Sequence, residues 1–160
     1  MDTRAAHAFD PDRLRPTLMF TVSSWHINAT HDFNETNPGF SLGAVYALGP
    51  GTTEIGAEVG HYRNSFRDKS NYAHVTLTRE MFRPAPRLAV RAGVVGGFAT
   101  YRHVQEMFAS QGVPTTGNCV WFAGVLVSAR IEDRYEFRSR LIPAGGEADG
   151  LATFEFGFLF

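Results

Sequence analysis

The chain of 160 residues is poor in cysteine and lysine and has no long apolar run, and each shortage removes a class of protein. Cys119 is the single cysteine, which excludes an internal disulfide and leaves the redox compartment unmarked. No apolar stretch reaches the roughly 18 residues of a transmembrane helix, so a membrane span would have to be built from strands. Net charge is lacking too. Fifteen basic side chains oppose sixteen acidic ones, without the cationic excess on which a general nucleic-acid binder depends. Lys69 is the one lysine and the other cations are arginines, whose planar fork suits carboxylate and phosphate. From Met1 to Pro16 the chain is polar and has no secretory h-region, so the sequence is read as a mature form whose signal peptide has been removed. Residues 1–16 are expected to be a flexible segment and 17–160 a single domain.

What the sequence does have is alternation of period two, the pattern of a strand with unlike faces. Eight such segments can be drawn, near 17–26, 39–49, 53–63, 70–80, 87–100, 118–129, 134–142 and 150–160. Each is close to the roughly 9–11 residues that a tilted strand needs to cross a bilayer. In the last, Phe154, Phe156, Phe158 and Phe160 share one face while Thr153, Glu155 and Gly157 share the other. The connections alternate in length, as in bacterial barrels with short periplasmic turns and longer external loops. Short ends fall at Pro50-Gly51-Thr52, Arg83 to Pro86 and Ile131 to Asp133. Long ones run from Ile27 to Pro38, Asn64 to Lys69, Tyr101 to Gly117 and Pro143 to Asp149.

Charge parity assigns the inside. Glu54 and Glu58 alternate with Ile55, Ala57 and Val59, and Arg91, Glu136, Arg138, Arg140 and Glu155 obey the same rule, so four carboxylates are expected to meet three arginines. Facing hydrocarbon, an arginine would cost about 2–4 kcal/mol near the midplane, whereas inside a barrel it can pair. Glu54, Arg91, Glu136 and Glu155 are expected in the periplasmic half and Glu58 and Arg138 near the middle. The external half would hold Ser23, Ser41, Gly43, Gly60, Tyr62, Tyr72, Val95, Gly97 and Ala99, interrupted by His74 and Arg140. A soluble lipid-carrying barrel would invert this pattern by turning its apolar face inward. The expected fold is therefore all-β, an eight-stranded antiparallel up-and-down transmembrane β-barrel in the bacterial outer membrane.

Chemistry-bearing residues gather in the external loops. The first opens on Trp25-His26 and continues through Asn34-Glu35-Thr36-Asn37-Pro38-Gly39; the second carries Arg63-Asn64-Ser65-Phe66. In these motifs, and in Leu141-Ile142-Pro143-Ala144 before the last strand, the chain resembles the PagP family of lipid A palmitoyltransferases. That family has a Trp-His pair, an Asn-Glu-x-Pro-Trp-Gly-type stretch, an Asp-Ser-Trp and a Tyr-Ile-Pro-Gly in the corresponding places. The resemblance implies an outer-membrane enzyme that moves an acyl chain from phospholipid to lipid A; no cofactor is expected, nor a metal, since no histidine pair has ligand spacing on a shared strand face with a carboxylate nearby. It implies catalytic roles for His26 and Ser65, with Asn64 where the family has Asp. His26 would act as general base, and Ser65 or a nearby amide would steady the oxyanion.

Three departures set a second reading beside it. Asn64 cannot offset a charge on His26, a task left to Asp32, Glu35 or Asp68; the family's N-terminal amphipathic helix is missing; and the lumen is charged where an acyl chain would lie. The alternative is a non-enzymatic structural or binding barrel. In either case Arg63, Arg67 and Arg102 at the rim suit lipid A phosphates, and Tyr62 and Tyr72 suit a substrate-binding wall. The partners expected are phospholipid and lipid A around a monomer, with no nucleic acid.

Overall fold

A computed structural model describes residues 9–49, 52–102, 104–144 and 147–160. After a 3-10 turn at Pro11–Arg13, the strands are β1 (Leu14–Ile27), β2 (Thr36–Ala47), β3 (Thr53–Arg63), β4 (Lys69–Ala85) and β5 (Leu88–Thr100). A short helix α1 (Gln105–Ser110) and a two-residue strand β6 (Thr115–Thr116) follow. The chain closes with β7 (Cys119–Ile131), β8 (Tyr135–Pro143) and β9 (Gly150–Leu159). Each long strand pairs antiparallel with its neighbour in sequence; β5 pairs with β7, and β6 adds only a small flap on the outer end of β7. Closure comes from β1 and β9, in register from Thr17 against Leu159 to Ile27 against Gly150. Eight strands thus form a barrel without an open edge, the condition for strands to lie in hydrocarbon.

The two faces are inverted relative to a soluble protein. Val59, Val75, Val94, Val127 and Phe137 are exposed, Val59 at 63%, while Glu58, Arg91, Arg130, Glu136, Arg138, Arg140 and Glu155 are buried. In water such an apolar belt would drive association; in a bilayer it is solvated by lipid. The 11 residues of β3, at about 3.3 Å each and a tilt of roughly 40°, span about 28 Å, close to the ~25 Å apolar band of such barrels. On the outside, Phe156 lies 5.6 Å from Phe20, 6.1 Å from Phe137 and 5.7 Å from Phe158, so the phenylalanine row of β9 knits three strands together. The chain is an eight-stranded antiparallel up-and-down transmembrane β-barrel.

Several boundaries differ from the sequence expectation. β1 starts at Leu14 rather than 17, because Ala44 to Tyr46 on β2 and the end of the chain after β9 give the earlier residues partners: Leu14 faces Tyr46 and the Phe160 amide donates to the Pro16 carbonyl. Residues 1–8 of the expected flexible segment, and Pro50-Gly51 of the first short turn, lie outside the described residues. β7 runs two residues past 129, to Ile131, which brings Arg130 to the inner face. The inner complement is therefore four arginines against four carboxylates, not three against four. The long loop after β5 is partly helical over α1, a segment too short to show a helical period.

Strand β1 also carries a bulge. Its ladders to β2 and to β9 both slip between Thr21 and Ser23. An extra residue at Val22 shifts the alternation, so Thr17 and Met19 are buried before it and Ser24 after it, while Val22 and Trp25 are exposed. Ser24, not Ser23, enters the lumen, and His26 follows it in phase.

Candidate functional site

The lower lumen is filled by ion pairs in two tiers. Nearest the short turns, Arg130 grips Glu54 by two bonds of 2.9 and 3.0 Å and also meets Glu136 at 2.9 Å, while Arg91 lies 3.1 Å from Glu54. Above it, Arg138 bonds Glu58 at 2.7 and 2.8 Å and Glu155 at 2.9 Å, and Arg140 reaches Glu155 at 2.8 Å. Glu155, expected in the half nearest the short turns, belongs to this middle tier, because both of its arginine partners are on β8 at mid-height. Each of these sets of two carboxylates and two arginines is neutral, and Glu80, 4.0 Å from Arg91, flanks the lower one and is itself paired with Arg83. β3 is not a neighbour of β7 or β8 in the sheet, so the Glu54–Arg130 and Glu58–Arg138 bonds cross the lumen and block it. Room for Glu58 comes from Gly43, where a Cβ would collide with the Glu58 side chain.

Over the upper tier is a cavity of about 150 Å³, with Arg140, Glu155 and Thr153 at its base and Phe108, Val113, Ile142 and Leu151 among its walls. That is the volume of an engineered apolar cavity that admits benzene, and far less than a long acyl chain fills. Tyr72 and Tyr62 line one side. The Tyr72 ring lies over Gly60, where any Cβ would strike it, and stacks on His74 at 5.5 Å. The mouth is roofed by aromatics: Phe66 meets Phe33 at 5.8 Å and Phe108 at 6.1 Å, and Phe108 meets Tyr101 at 5.0 Å. Tyr101 shares a 3.0 Å hydrogen bond with the Tyr62 hydroxyl, and burial pushes its phenol above the ordinary tyrosine range.

Two polar relays fasten the roof. Ser24 donates to Asn37 Oδ1, and Asn37 Nδ2 donates to the Arg63 carbonyl at 3.0 Å, tying β1 and β2 to the end of β3. Asn64 Nδ2 donates to Ser70 Oγ at 2.9 Å, and Ser70 donates to the Thr100 carbonyl. Of the side chains in these relays only Asn64 is expected as a site residue from sequence; Asn37 stands in the first-loop motif without a role, and Ser24 and Ser70 have none. Alternation puts Ser41 and Tyr72 inside, but Ser24 needs the bulge, and Asn37 and Ser70 are turn-rich residue types with no sequence signal of their own.

The expected site residues occupy the mouth without forming one hydrogen-bonded unit. His26 stacks on Phe33 at 4.2 Å, its Nδ1 is 3.9 Å from Glu35 Oε1, and its amide donates to the same carboxylate at 3.2 Å. Of the three acids considered as substitutes for an aspartate, Glu35 is the one beside His26. Asn64 is 1% exposed and its Oδ1 accepts the Phe66 and Asp68 amides at 2.9 and 3.0 Å, so its amide is occupied within its own turn. Ser65 lines the cavity, and its carbonyl accepts the Asn34 amide at 3.0 Å, which joins the first two external loops. No hydrogen bond among the described residues links His26 to Ser65 or Asn64. Arg63 and Arg67 are exposed at the rim, where Arg63 Nε donates to the Arg67 carbonyl at 3.3 Å.

No family model and no curated protein matches the chain. Among solved structures it is similar to the N-terminal β-barrel domain of Pseudomonas aeruginosa OprF, at 15% identity and a TM-score of 0.48, over 92% of this chain and 98% of that one.

Proposed function

We propose that this chain is a structural or binding barrel of the bacterial outer membrane, monomeric, closed to solutes, and seated among lipid A and phospholipid by its external rim. The observation that carries this reading is the pair of neutral ion-pair tiers bridging the lumen. A pore needs a continuous water path, and these side chains occupy it. The rim supports the lipid partners: Arg63 and Lys69 face each other across β3 and β4, a like-charge pair that a phosphate between them would relieve. The test is conductance of the refolded chain in planar bilayers. Absence of unitary current steps is expected, and steady open-channel steps would overturn the closed-barrel reading.

A second reading, the lipid A acyltransferase implied by the PagP resemblance, is favoured by the placement of Glu35 beside His26 and of Ser65 on the cavity wall. On this reading Glu35 takes the part of the missing aspartate, and the mouth opens to admit an acyl chain. Mass spectrometry of lipid A from cells expressing the chain decides it. An added acyl mass that disappears with His26→Ala and with Ser65→Ala supports transfer; unchanged lipid A under membrane-stressing conditions rejects it.

A further inference from the structure

The outward face of β3 and β4 changes character rung by rung toward the external end. Ala57 faces Val75 and Val59 faces Ala73, then His61 faces Asn71, and last Arg63 faces Lys69. Register partners on one face have Cβ atoms about 4.5–5.5 Å apart, so each rung presents a single chemistry. The order is apolar, neutral polar, cationic. His61 Nδ1 lies 2.8 Å from Asn71 Oδ1, which leaves Asn71 Nδ2 and the outer ring nitrogen of His61 without a partner among the described residues. Arg63, Arg67 and Lys69 are exposed and make no ion pair among the described residues, whereas at the opposite end Arg83 is paired with Glu80 and Asp133, and Arg87 with Glu132.

Below the polar rung the lipid-facing wall is concave. Phe40 and Leu42 on β2 form one bank, Phe98 on β5 and Trp121 on β7 the other, and Ala73 and Gly96 the floor between them. The second bank is fixed, since Trp121 meets Phe98 edge-on at 5.4 Å and its Nε1 donates to Thr116 Oγ1 at 3.1 Å. A Cβ added at Gly96 would meet only the Phe122 carbonyl oxygen, at 3.9 Å, so the floor there borders open space. From His61 to Ala57 the groove descends four residues of strand, about 13 Å into the apolar band.

We propose that this groove seats an acyl chain of a phosphomonoester-bearing glycolipid of the outer leaflet, with the phosphate between Arg63 and Lys69 and the sugar hydroxyls on the His61 and Asn71 rung. Charge selects this lipid over a phosphodiester one. A phosphodiester carries a single negative charge, whereas a phosphomonoester carries about −1.5 to −2 at pH 7, closer to what Arg63, Arg67 and Lys69 together can balance. A second copy of the chain, held by membrane orientation with the same end outward, would instead bring its own three cations to the same rim. The proposal rests on the reading of the chain as a barrel seated by its external rim, and adds to it the wall and the lipid.

The experiment is native mass spectrometry of the full chain, refolded and released from detergent micelles, with diphosphorylated lipid A as the probe and phosphatidylglycerol as the comparison. One bound lipid A per chain is expected at concentrations where phosphatidylglycerol leaves the chain bare. Arg63→Gln combined with Lys69→Gln should weaken the complex about tenfold to a hundredfold, the effect of losing one or two charged hydrogen bonds. Gly96→Leu, which raises the floor under the acyl chain, should weaken it about fivefold, and Arg87→Gln at the other end of the barrel should leave it unchanged. Heat-modifiable gel mobility reports an intact barrel for each variant. Phosphatidylglycerol binding as tightly as lipid A, a complex that survives the double charge removal or Gly96→Leu, equal weakening by Arg87→Gln, or no lipid A complex from intact barrels would each overturn the proposal. A dimer that Gly96→Leu dissociates, with no lipid bound, would give the groove to a second copy and overturn it as well. Conductance of the same preparation is a separate measurement, so this site can fail while the closed-barrel reading stands.

Discussion

Arg138 on β8 holds Glu58 on β3 by two nearly equal bonds, 2.7 and 2.8 Å, although the two strands are on opposite sides of the barrel. A two-pronged contact of this kind fixes direction as well as distance. Its removal should therefore be felt across the whole wall. Arg138→Met takes the two-pronged cation from Glu58 and leaves both Glu58 and Glu155 to Arg140 alone, and is expected to destabilise the barrel by about 3–5 kcal/mol. Adding Glu58→Leu should recover part of that loss, because one uncompensated charge disappears. Urea unfolding in phospholipid vesicles measures both, and a double variant less stable than Arg138→Met would contradict the pairing.

Glu58 and Val59 are adjacent in sequence and opposite in environment, one inside and one toward lipid. Val59→Arg should cost about 2–4 kcal/mol, the penalty for a cation on the lipid face near the midplane. The same urea titration in vesicles is the measurement. A cost near zero would mean that Val59 does not face hydrocarbon.

Asn64 should behave as a turn clamp. Asn64→Ala leaves the Phe66 and Asp68 amides without an acceptor and Ser70 without the bond it accepts, for an expected loss of about 1–3 kcal/mol. The freed loop should be cut faster by trypsin at Arg67 or Lys69, with the strands still protected. Asn64→Asp keeps both acceptor bonds and loses only the donation to Ser70, so its cleavage rate should fall between those of the parent and Asn64→Ala.

Gly60 is the floor on which Tyr72 rests. Gly60→Val should displace the ring from His74 and cost about 1–3 kcal/mol by overpacking. Near-ultraviolet circular dichroism should change with it, while far-ultraviolet strand signal persists. An unaltered aromatic spectrum would show that the ring is not seated there.

Most of the barrel was legible because a period of two exposes both faces of a strand at once. Glu54-Ile55-Gly56-Ala57-Glu58-Val59 reads the same from sequence as from structure. Arg130 was missed for a local reason: it sits beyond the last clear apolar alternation of β7, where the turn at Glu132 and Asp133 begins. Ser24 was missed for another. A bulge changes phase without changing composition, so Ser23 and Ser24 are indistinguishable until both neighbouring ladders are known. At the mouth, His26, Ser65, Tyr62 and Tyr72 are each placed by strand and loop, but their partners come from other loops. The attachment of Asn64 to Ser70 and Thr100, and of Glu35 to His26, rests on contacts that no spacing encodes.

The bulge at Val22 also decides which ring guards the entrance. With Val22 absorbed as an extra residue, the indole of Trp25 goes to the lipid boundary and the imidazole of His26 to Phe33. The same letters on a regular strand would exchange them, sending a polar ring into the membrane and a large apolar one into the vestibule. Deleting Val22 would remove the bulge and its phase shift together and leave His26 facing inward, so the chemistry of the mouth is set by how the ladder absorbs one residue as much as by which residue is there.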